Sequence, residues 1–167
     1  MKDTINAEAE TSGPHMEPRI AYHQASPKAV RPLWDLEEYV RNCGLDPGLI
    51  ELVKLRASQI NGCAYCIDMH TKDARARGET EQRLYAVGVW AETPFYSDRE
   101  RAALAWTEAV TQVSSSHVPD SLYESVSQHF NQKELVDLTM AVIAINSWNR
   151  LAISFRAVPG TYQPGKH

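Results

Sequence analysis

Apolar residues recur along most of this chain at the three- and four-residue intervals of an α-helix. The first segment places Leu33, Leu36 and Val40 at this spacing, and a second apolar face runs from Leu49 to Ile60. No stretch alternates apolar and polar residues as a strand does, and β-hairpin turn signals are missing. The pattern therefore predicts an all-α fold.

Capping residues mark the expected starts of these helices. Ser26-Pro27 and Asp46-Pro47 each combine a capping side chain with a proline, whose missing N–H costs nothing at the first helical position. Ser97 opens a capping-box pattern, and Asn131 caps an apolar helix that we expect from about Gln132 to Arg156. These signals together predict a single-domain bundle of six or seven helices with short connections.

Three segments complicate this bundle. Pro32 is awkward inside the first helix, so we expect either a later start or bent first turns. The Ser114-Ser115-Ser116 run is predicted to be a loop. The last helix is apolar over much of its circumference, which is typical of a helix that is central or shared with another subunit.

Length and charge narrow the classes of function. A chain of 167 residues fits one domain, and 43% apolar and 23% charged residues are typical of a globular protein. The formal charge of −4 comes without a basic stripe, so we expect neither a nucleic-acid partner nor an anionic membrane surface. The longest apolar run, Met140 to Ile145, is too short to span a bilayer.

The two ends are expected to lie outside the domain. Residues 1–16 are interpreted as a tag or disordered extension, because Ser12-Gly13-Pro14-His15-Met16 is similar to a cloning scar. Residues 161–167 are interpreted as a tail. The first residues lack the apolar core of a signal peptide, which favours a cytoplasmic location. There, a closely spaced cysteine pair is more often catalytic or metal-binding than a permanent disulfide.

Candidate chemistry is concentrated in Cys63-Ala64-Tyr65-Cys66, followed by His70. On a helix, Cys63, Cys66 and His70 share one face. A cysteine in the first helical turn is favoured as thiolate, and a nearby imidazole can take its proton. Peroxide would oxidise one thiolate to sulfenic acid, which the second thiol converts to a disulfide. Cys66 lies one turn from His70 and is the better candidate attacker, with Cys63 as resolving thiol.

Other uses of such a pair are weighed against this one. A thioredoxin-type site would follow a strand, and covalent haem attachment would need histidine directly after the second cysteine. A structural zinc site would need a fourth ligand beside Cys63, Cys66 and His70, either Cys43 or Glu51. A zinc-stabilised or redox-sensing scaffold without turnover therefore stays an alternative.

Glu51 lies twelve positions before Cys63, and with Cys66 and His70 this set resembles the core signature of the alkylhydroperoxidase D family. That family belongs to the carboxymuconolactone decarboxylase-like superfamily. The resemblance covers residues 17–160 as one domain, including 52–62 before the cysteines and 144–150 in the last helix.

The resemblance implies a cofactor-independent enzyme without a metal that reduces hydroperoxides. It implies that Cys66 is the peroxidatic thiol and Cys63 the resolving thiol, with His70 and Glu51 as a proton relay. It also implies an external dithiol or lipoyl-type reductant, and small helical subunits assembled as a homo-oligomer, a trimer or a hexamer. Carboxymuconolactone decarboxylation, a lyase activity of the superfamily, is the alternative, although the decarboxylases lack the cysteine pair.

Three further residues bear on the expected site. Tyr65 stands where the best-studied peroxidases of the family carry a second histidine, and a tyrosine is no base at neutral pH. The relay is therefore expected to be shorter, weaker or water-mediated, so thiol–disulfide chemistry is better supported than peroxidase activity. Asn146 and Trp148 are candidates to line a pocket.

Overall fold

The computed structural model describes residues 16–165, so the interpretation of residues 1–15 lies outside the described part of the chain. Within it, all regular structure is helical, and the all-α fold class is confirmed. The helices are α1 Tyr22–Ala25, α2 Pro27–Asn42, α3 Pro47–Asn61, α4 Ala64–Ala76, α5 Glu81–Ala86, the 3-10 helix η1 Val87–Glu92, α6 Asp98–Thr111, α7 Val113–Ser116, α8 Asp120–Val126 and α9 Gln132–Phe155.

Helices α3 and α9 form the centre of the bundle. Helix α3 packs against α4, α6 and α9, while α9 also packs against α2 and α6. The main core comes from both central helices and includes the fully buried Val53, Leu138 and Val142. The apolar circumference of α9 is explained by this central place, since several helices cover it. In the described part of the chain, no helix has the length and apolarity needed to cross a membrane.

The predicted helix starts at Pro27, Pro47, Asp98 and Gln132 agree with the structure, but the Ser26 side chain makes no capping hydrogen bond, so its predicted capping role is wrong. Ser97 and Asn131 both form complete capping boxes with the glutamate three residues on, and Asp46 accepts a hydrogen bond from the N–H of Leu49. Each cap satisfies backbone donors that the first helical turn leaves unpaired. Pro32 lies inside α2, which nevertheless begins at Pro27, so the later start is wrong.

The predicted number of helices was too low. The described residues contain nine α-helices, and the serine run predicted as a loop belongs to α7. Both α1 and α7 are only four residues long. One turn of helix cannot display a 3.6-residue repeat, which is why apolar periodicity does not detect such elements.

Candidate active site

The connection between α3 and α4 determines where the thiols lie. Gly62 ends α3 in a left-handed conformation with φ of 69°, which glycine adopts without the Cβ penalty of other residues. The chain then turns so that the N–H of Cys63 bonds the carbonyl of Ser58 at 2.9 Å. Cys63 consequently becomes the N-cap residue of α4. The Asn61-Gly62 break thus places the first thiol at a helix N-terminus.

The two thiols lie together in a buried environment. The N–H of Cys66 donates to Cys63 Sγ at 3.4 Å, and both cysteines are only 1% exposed. Both are free thiols. Ala57, Ile145 and Ala152 pack around them. A substrate can therefore reach the sulfurs only after some neighbouring group has moved.

The negative charge of the resting pair is favoured on Cys63. The hydrogen bond from the Cys66 thiol lowers the pKa of Cys63, whereas burial raises it. Further donors, including the Cys66 N–H, lower the pKa again, to about 7. The pKa of Cys66 is raised, since its thiol already donates to Cys63 and burial disfavours its charge. The positive end of α4 also favours a thiolate at its N-cap. A thiolate is thus favoured on Cys63 over Cys66, and attack by Cys66 stays a prediction.

A histidine–carboxylate pair lies one turn further along α4. His70 Nδ1 is 2.8 Å from Glu51 Oε2 on α3, and both side chains are buried. Burial by itself raises the pKa of Glu51, but the hydrogen bond and charge of His70, with Lys54 and Arg77, hold that pKa below its usual value. Glu51 therefore stays ionised. The opposite ring nitrogen, Nε2 of His70, is buried and has no hydrogen-bond partner among the described residues.

Two tyrosines flank the thiols. Tyr65 is half-buried on α4 against the thiols, and Tyr22 on α1 is near enough for the charges of both cysteines to act on its phenol. Burial raises the pKa of both phenols, and the nearby sulfurs raise it further. Both hydroxyls consequently stay protonated, as expected for Tyr65. Periodicity had indicated nothing about Tyr22, because α1 is a single turn.

The three residues beyond the motif have different surroundings. Trp148 packs against the thiol cluster, and its ring contacts that of Trp34 at a tilt of 57°, with centroids 4.7 Å apart. Asn146 is buried and bonds Asn61 and Thr111. Neither lines a described cleft, so their assignment to a pocket stays a prediction.

Asn149 is the site residue that sequence reasoning missed. It is fully buried, accepts a hydrogen bond from Asn61 at 2.8 Å and donates one to the Ser58 hydroxyl at 3.1 Å. It lies on α9 one turn from Ile145 and one turn from Ala152, within the face that covers the thiols. An asparagine on a buried apolar helix face needs partners there, which is the signal that could have identified it.

The C-terminal segment is hydrogen-bonded to one side of α4. The Tyr162 hydroxyl donates to Asp73 at 2.7 Å, and the N–H of Gly160 donates to Asp68 at 2.9 Å. Lys72 donates to the carbonyl of Tyr162 at 3.1 Å. Residues at the start of the expected tail therefore contact the same helix that carries the thiols.

A metal site built on the thiols is not supported by the positions of the ligand atoms. In residues 16–165, the side chains whose ligand atoms lie within 4.8 Å of one another are Glu51, His70 and Asp73. The cysteines do not belong to this group. The four-ligand zinc set considered from the sequence is therefore not assembled here.

Similarity to other proteins agrees with this geometry. YdfG, an uncharacterized protein of Bacillus subtilis strain 168, is 45% identical over 139 residues, which are 83% of this chain and 95% of YdfG. The profile of the carboxymuconolactone decarboxylase family matches residues 27–109, which include both thiols, Glu51 and His70. The chain belongs to the carboxymuconolactone decarboxylase family.

Solved structures place this family member near alkylhydroperoxidase D. A protein of unknown function from Agrobacterium tumefaciens, proposed to be the antioxidant defence protein AhpD, is 44% identical with a TM-score of 0.84, covering 87% of this chain and all of that one. A peroxidase-related protein from Ralstonia eutropha JMP134, described as an AhpD core, has a TM-score of 0.74 at 21% identity over 86% of this chain and 77% of that one. This second likeness shows the fold alone. The AhpD-like resemblance is confirmed.

Proposed function

We propose that the protein reduces hydroperoxides through a redox-active pair, Cys63 and Cys66, with His70 and Glu51 as the proton relay. The observation that supports this most is the buried dithiol at the start of α4, the helix that also carries His70, whose buried ring lies 2.8 Å from Glu51 on α3. The sulfurs supply the two electrons that a peroxide requires, and the imidazole of His70 can accept a proton and return it.

The first step oxidises Cys66. Nε2 of His70 takes the Cys66 thiol proton, and the resulting thiolate attacks the outer oxygen of ROOH. The O–O bond breaks as the S–O bond forms, and the departing alkoxide takes the proton back from His70 to give ROH. The sulfur loses two electrons to the peroxide and becomes a sulfenic acid. Glu51 stabilises the transient imidazolium through its bond to Nδ1.

The second step forms the disulfide. The thiolate of Cys63 attacks the sulfenic sulfur of Cys66, so that an S–S bond forms while the S–O bond breaks. Hydroxide leaves and takes a proton from solvent to become water. Since the pKa of Cys63 is about 7, the resolving thiol is substantially deprotonated before the peroxide arrives. In this scheme Cys66 attacks the peroxide, and Cys63, on which the resting charge is favoured, resolves the sulfenic acid.

Turnover requires an external reductant. Two successive thiol–disulfide exchanges with a dithiol, such as a lipoyl-type carrier, return both cysteines to their reduced form and oxidise the carrier to its disulfide. We propose assembly into a trimer or hexamer as part of the same function.

The test is hydroperoxide consumption in the presence of a dithiol, measured for matched cysteine variants. Cys66→Ser should abolish turnover, and Cys63→Ser should allow at most a single oxidation without disulfide formation. Cys43→Ser is the control, since that thiol lies at the end of α2 outside the thiol cluster. Equal turnover by the parent and by folded Cys66→Ser would refute the proposal, and so would loss of turnover in Cys43→Ser alone.

A further inference from the structure

The segment that follows α9 reaches both halves of the site. Ala157 packs against the cluster that contains the two cysteines. Five residues later, the hydroxyl of Tyr162 donates to Asp73 at 2.7 Å. A carboxylate oxygen of Asp73 lies within 4.8 Å of a ring nitrogen of His70 and of a carboxylate oxygen of Glu51. Residues 157–162, the C-terminal strap, are thus packed on the thiol cluster at one end and bonded next to the histidine–carboxylate pair at the other.

The strap is attached to α4 through polar contacts near the surface. The N–H of Gly160 donates to Asp68 at 2.9 Å, and Lys72 donates to the carbonyl of Tyr162 at 3.1 Å. Among the described residues that follow Ala152, none is buried. An open cleft of about 560 Å³ lies between the strap and α4. Segments with few buried contacts and solvent-exposed hydrogen bonds open at much lower cost than a core does. The strap therefore belongs to the least stable part of the fold.

Two residues with positive φ determine the path of the strap. Arg156 ends α9 with φ of 55°, and the N–H of Ala157 bonds the carbonyl of Ala152 at 2.8 Å. Gly160 has φ of 101°, which residues with a side chain adopt only under strain. A Cβ at Gly160 would have no neighbour within 4 Å among the described residues. A substitution there consequently strains the closed strap without a steric clash.

Of the groups that cover the thiols, the strap is the one that can move as a segment. Three partly buried residues pack against the thiol cluster, namely Tyr65, Trp148 and Ala157. Tyr65 and Trp148 belong to α4 and α9, whose backbones are fixed by packing against α3, so only their rings can turn. Ala157 lies beyond Phe155, the last residue of α9. Displacement of the strap leaves every packed helix in place.

We propose that the C-terminal strap is the gate of the buried dithiol, closed by the hydrogen bond from Tyr162 to Asp73 and opened by rotation about Arg156. Both sulfurs are only 1% exposed, so a reagent reaches them through such an opening. Opening uncovers the thiol cluster and the His70–Glu51 pair together. The gate rests on the proposed redox function for its purpose, since it would admit both the peroxide and the reductant.

The test is the rate at which iodoacetamide alkylates Cys63 and Cys66 in a Cys43→Ser background, followed by peptide mass spectrometry. Tyr162→Phe keeps the ring but removes the hydroxyl that donates to Asp73. It should raise the population of the open strap, and with it the alkylation rate, about tenfold, which corresponds to about 1.4 kcal/mol. The pH midpoint of alkylation should not move, because the variant changes access to the sulfurs and leaves their ionisation unaltered.

Gly160→Ala is a second, independent variant of the strap. Its backbone strain is present only while the strap is closed, so alkylation should become about fivefold faster or more. Gly44→Ala is the matched control, since Gly44 has φ of 99° and likewise no described neighbour within 4 Å of a Cβ, but lies between α2 and α3. Tyr39→Phe is the control for the lost hydroxyl, because Tyr39 donates to Asp137 at 2.7 Å outside the strap. Both controls should be alkylated at the parental rate.

The controls separate local opening from general loss of stability. Equal acceleration by Gly44→Ala would show that the thiols are reached through global unfolding, and the gate would be overturned. Parental alkylation rates in folded Tyr162→Phe or in folded Gly160→Ala would overturn it as well. The readout does not use peroxide. Faster alkylation of both strap variants, with no peroxide turnover by the parent, would therefore refute the proposed function and leave the gate intact.

Discussion

Replacing Glu51 by glutamine removes the negative charge next to His70 while keeping the length and shape of the side chain. The amide oxygen of glutamine can still accept the hydrogen bond from Nδ1, so the ring orientation is retained. What is lost is the negative charge that stabilises the imidazolium when His70 takes the proton of Cys66. The variant therefore separates proton handling from ring positioning.

The expected magnitude follows from the geometry. The 2.8 Å contact is short, and the His70 and Glu51 side chains are only 6% and 10% exposed, so water compensates little for the missing charge. A hydrogen bond to a charged partner contributes about 1.5–3 kcal/mol, compared with about 1 kcal/mol for a neutral one. At about 1.4 kcal/mol per factor of ten, oxidation of Cys66 should slow between a few-fold and about thirtyfold.

The assay is a rapid-quench single turnover with an organic hydroperoxide, in which free Cys66 is counted after acid quench and alkylation. Glu108→Gln is the control, since it also removes a carboxylate from a charged pair, with Arg56 at 2.7 Å, but does not contact His70. The control should react like the parent. If folded Glu51→Gln oxidised Cys66 at the parental rate, Glu51 would have no part in the relay.

Three further predictions concern stability. Leu138 is fully buried in the main core, so Leu138→Ala should lower the free energy of unfolding by about 2–5 kcal/mol in a urea titration; a loss below about 1 kcal/mol would contradict the packing. Asn131→Ala removes the capping box of α9 and should cost about 1 kcal/mol by the same measurement, whereas exposed Asn42→Ala should cost almost nothing. Because the pKa of Glu51 is lower in the folded protein than in the unfolded one, ionised Glu51 stabilises the fold above its unfolded pKa. That stabilisation disappears as the pH falls through its folded pKa. The parent should therefore lose more stability than Glu51→Gln between pH 5 and 2, and equal losses would exclude this linkage.

The local signals in the sequence predicted most of the helix starts and the identity of the site motif. Asp46, Ser97 and Asn131 cap the helices that they were expected to cap, because each cap depends on residues within one turn. The last helix ends at Phe155, one residue before the expected end. The contact between Glu51 and His70 was also expected, since the family resemblance pairs them.

Features that depend on tertiary packing were not predictable in the same way. Asn149 lies 86 positions after Cys63 and reaches the helix that precedes the thiols, where it bonds Asn61 and Ser58, only because α9 packs across α3. The pKa of Cys63 is lowered first by the Cys66 thiol and then by backbone donors at the start of α4, whose position depends on where Gly62 ends α3. Spacing alone favoured Cys66, because it is the thiol one turn from His70.

The most direct test of the redox pair is the stoichiometry of a single turnover without reductant. The reduced Cys43→Ser protein should consume one equivalent of organic hydroperoxide, lose both remaining thiols and yield one intramolecular Cys63–Cys66 disulfide by peptide mapping. Peroxide consumption with both thiols still free, or a disulfide that joins two chains through either cysteine, would contradict the account.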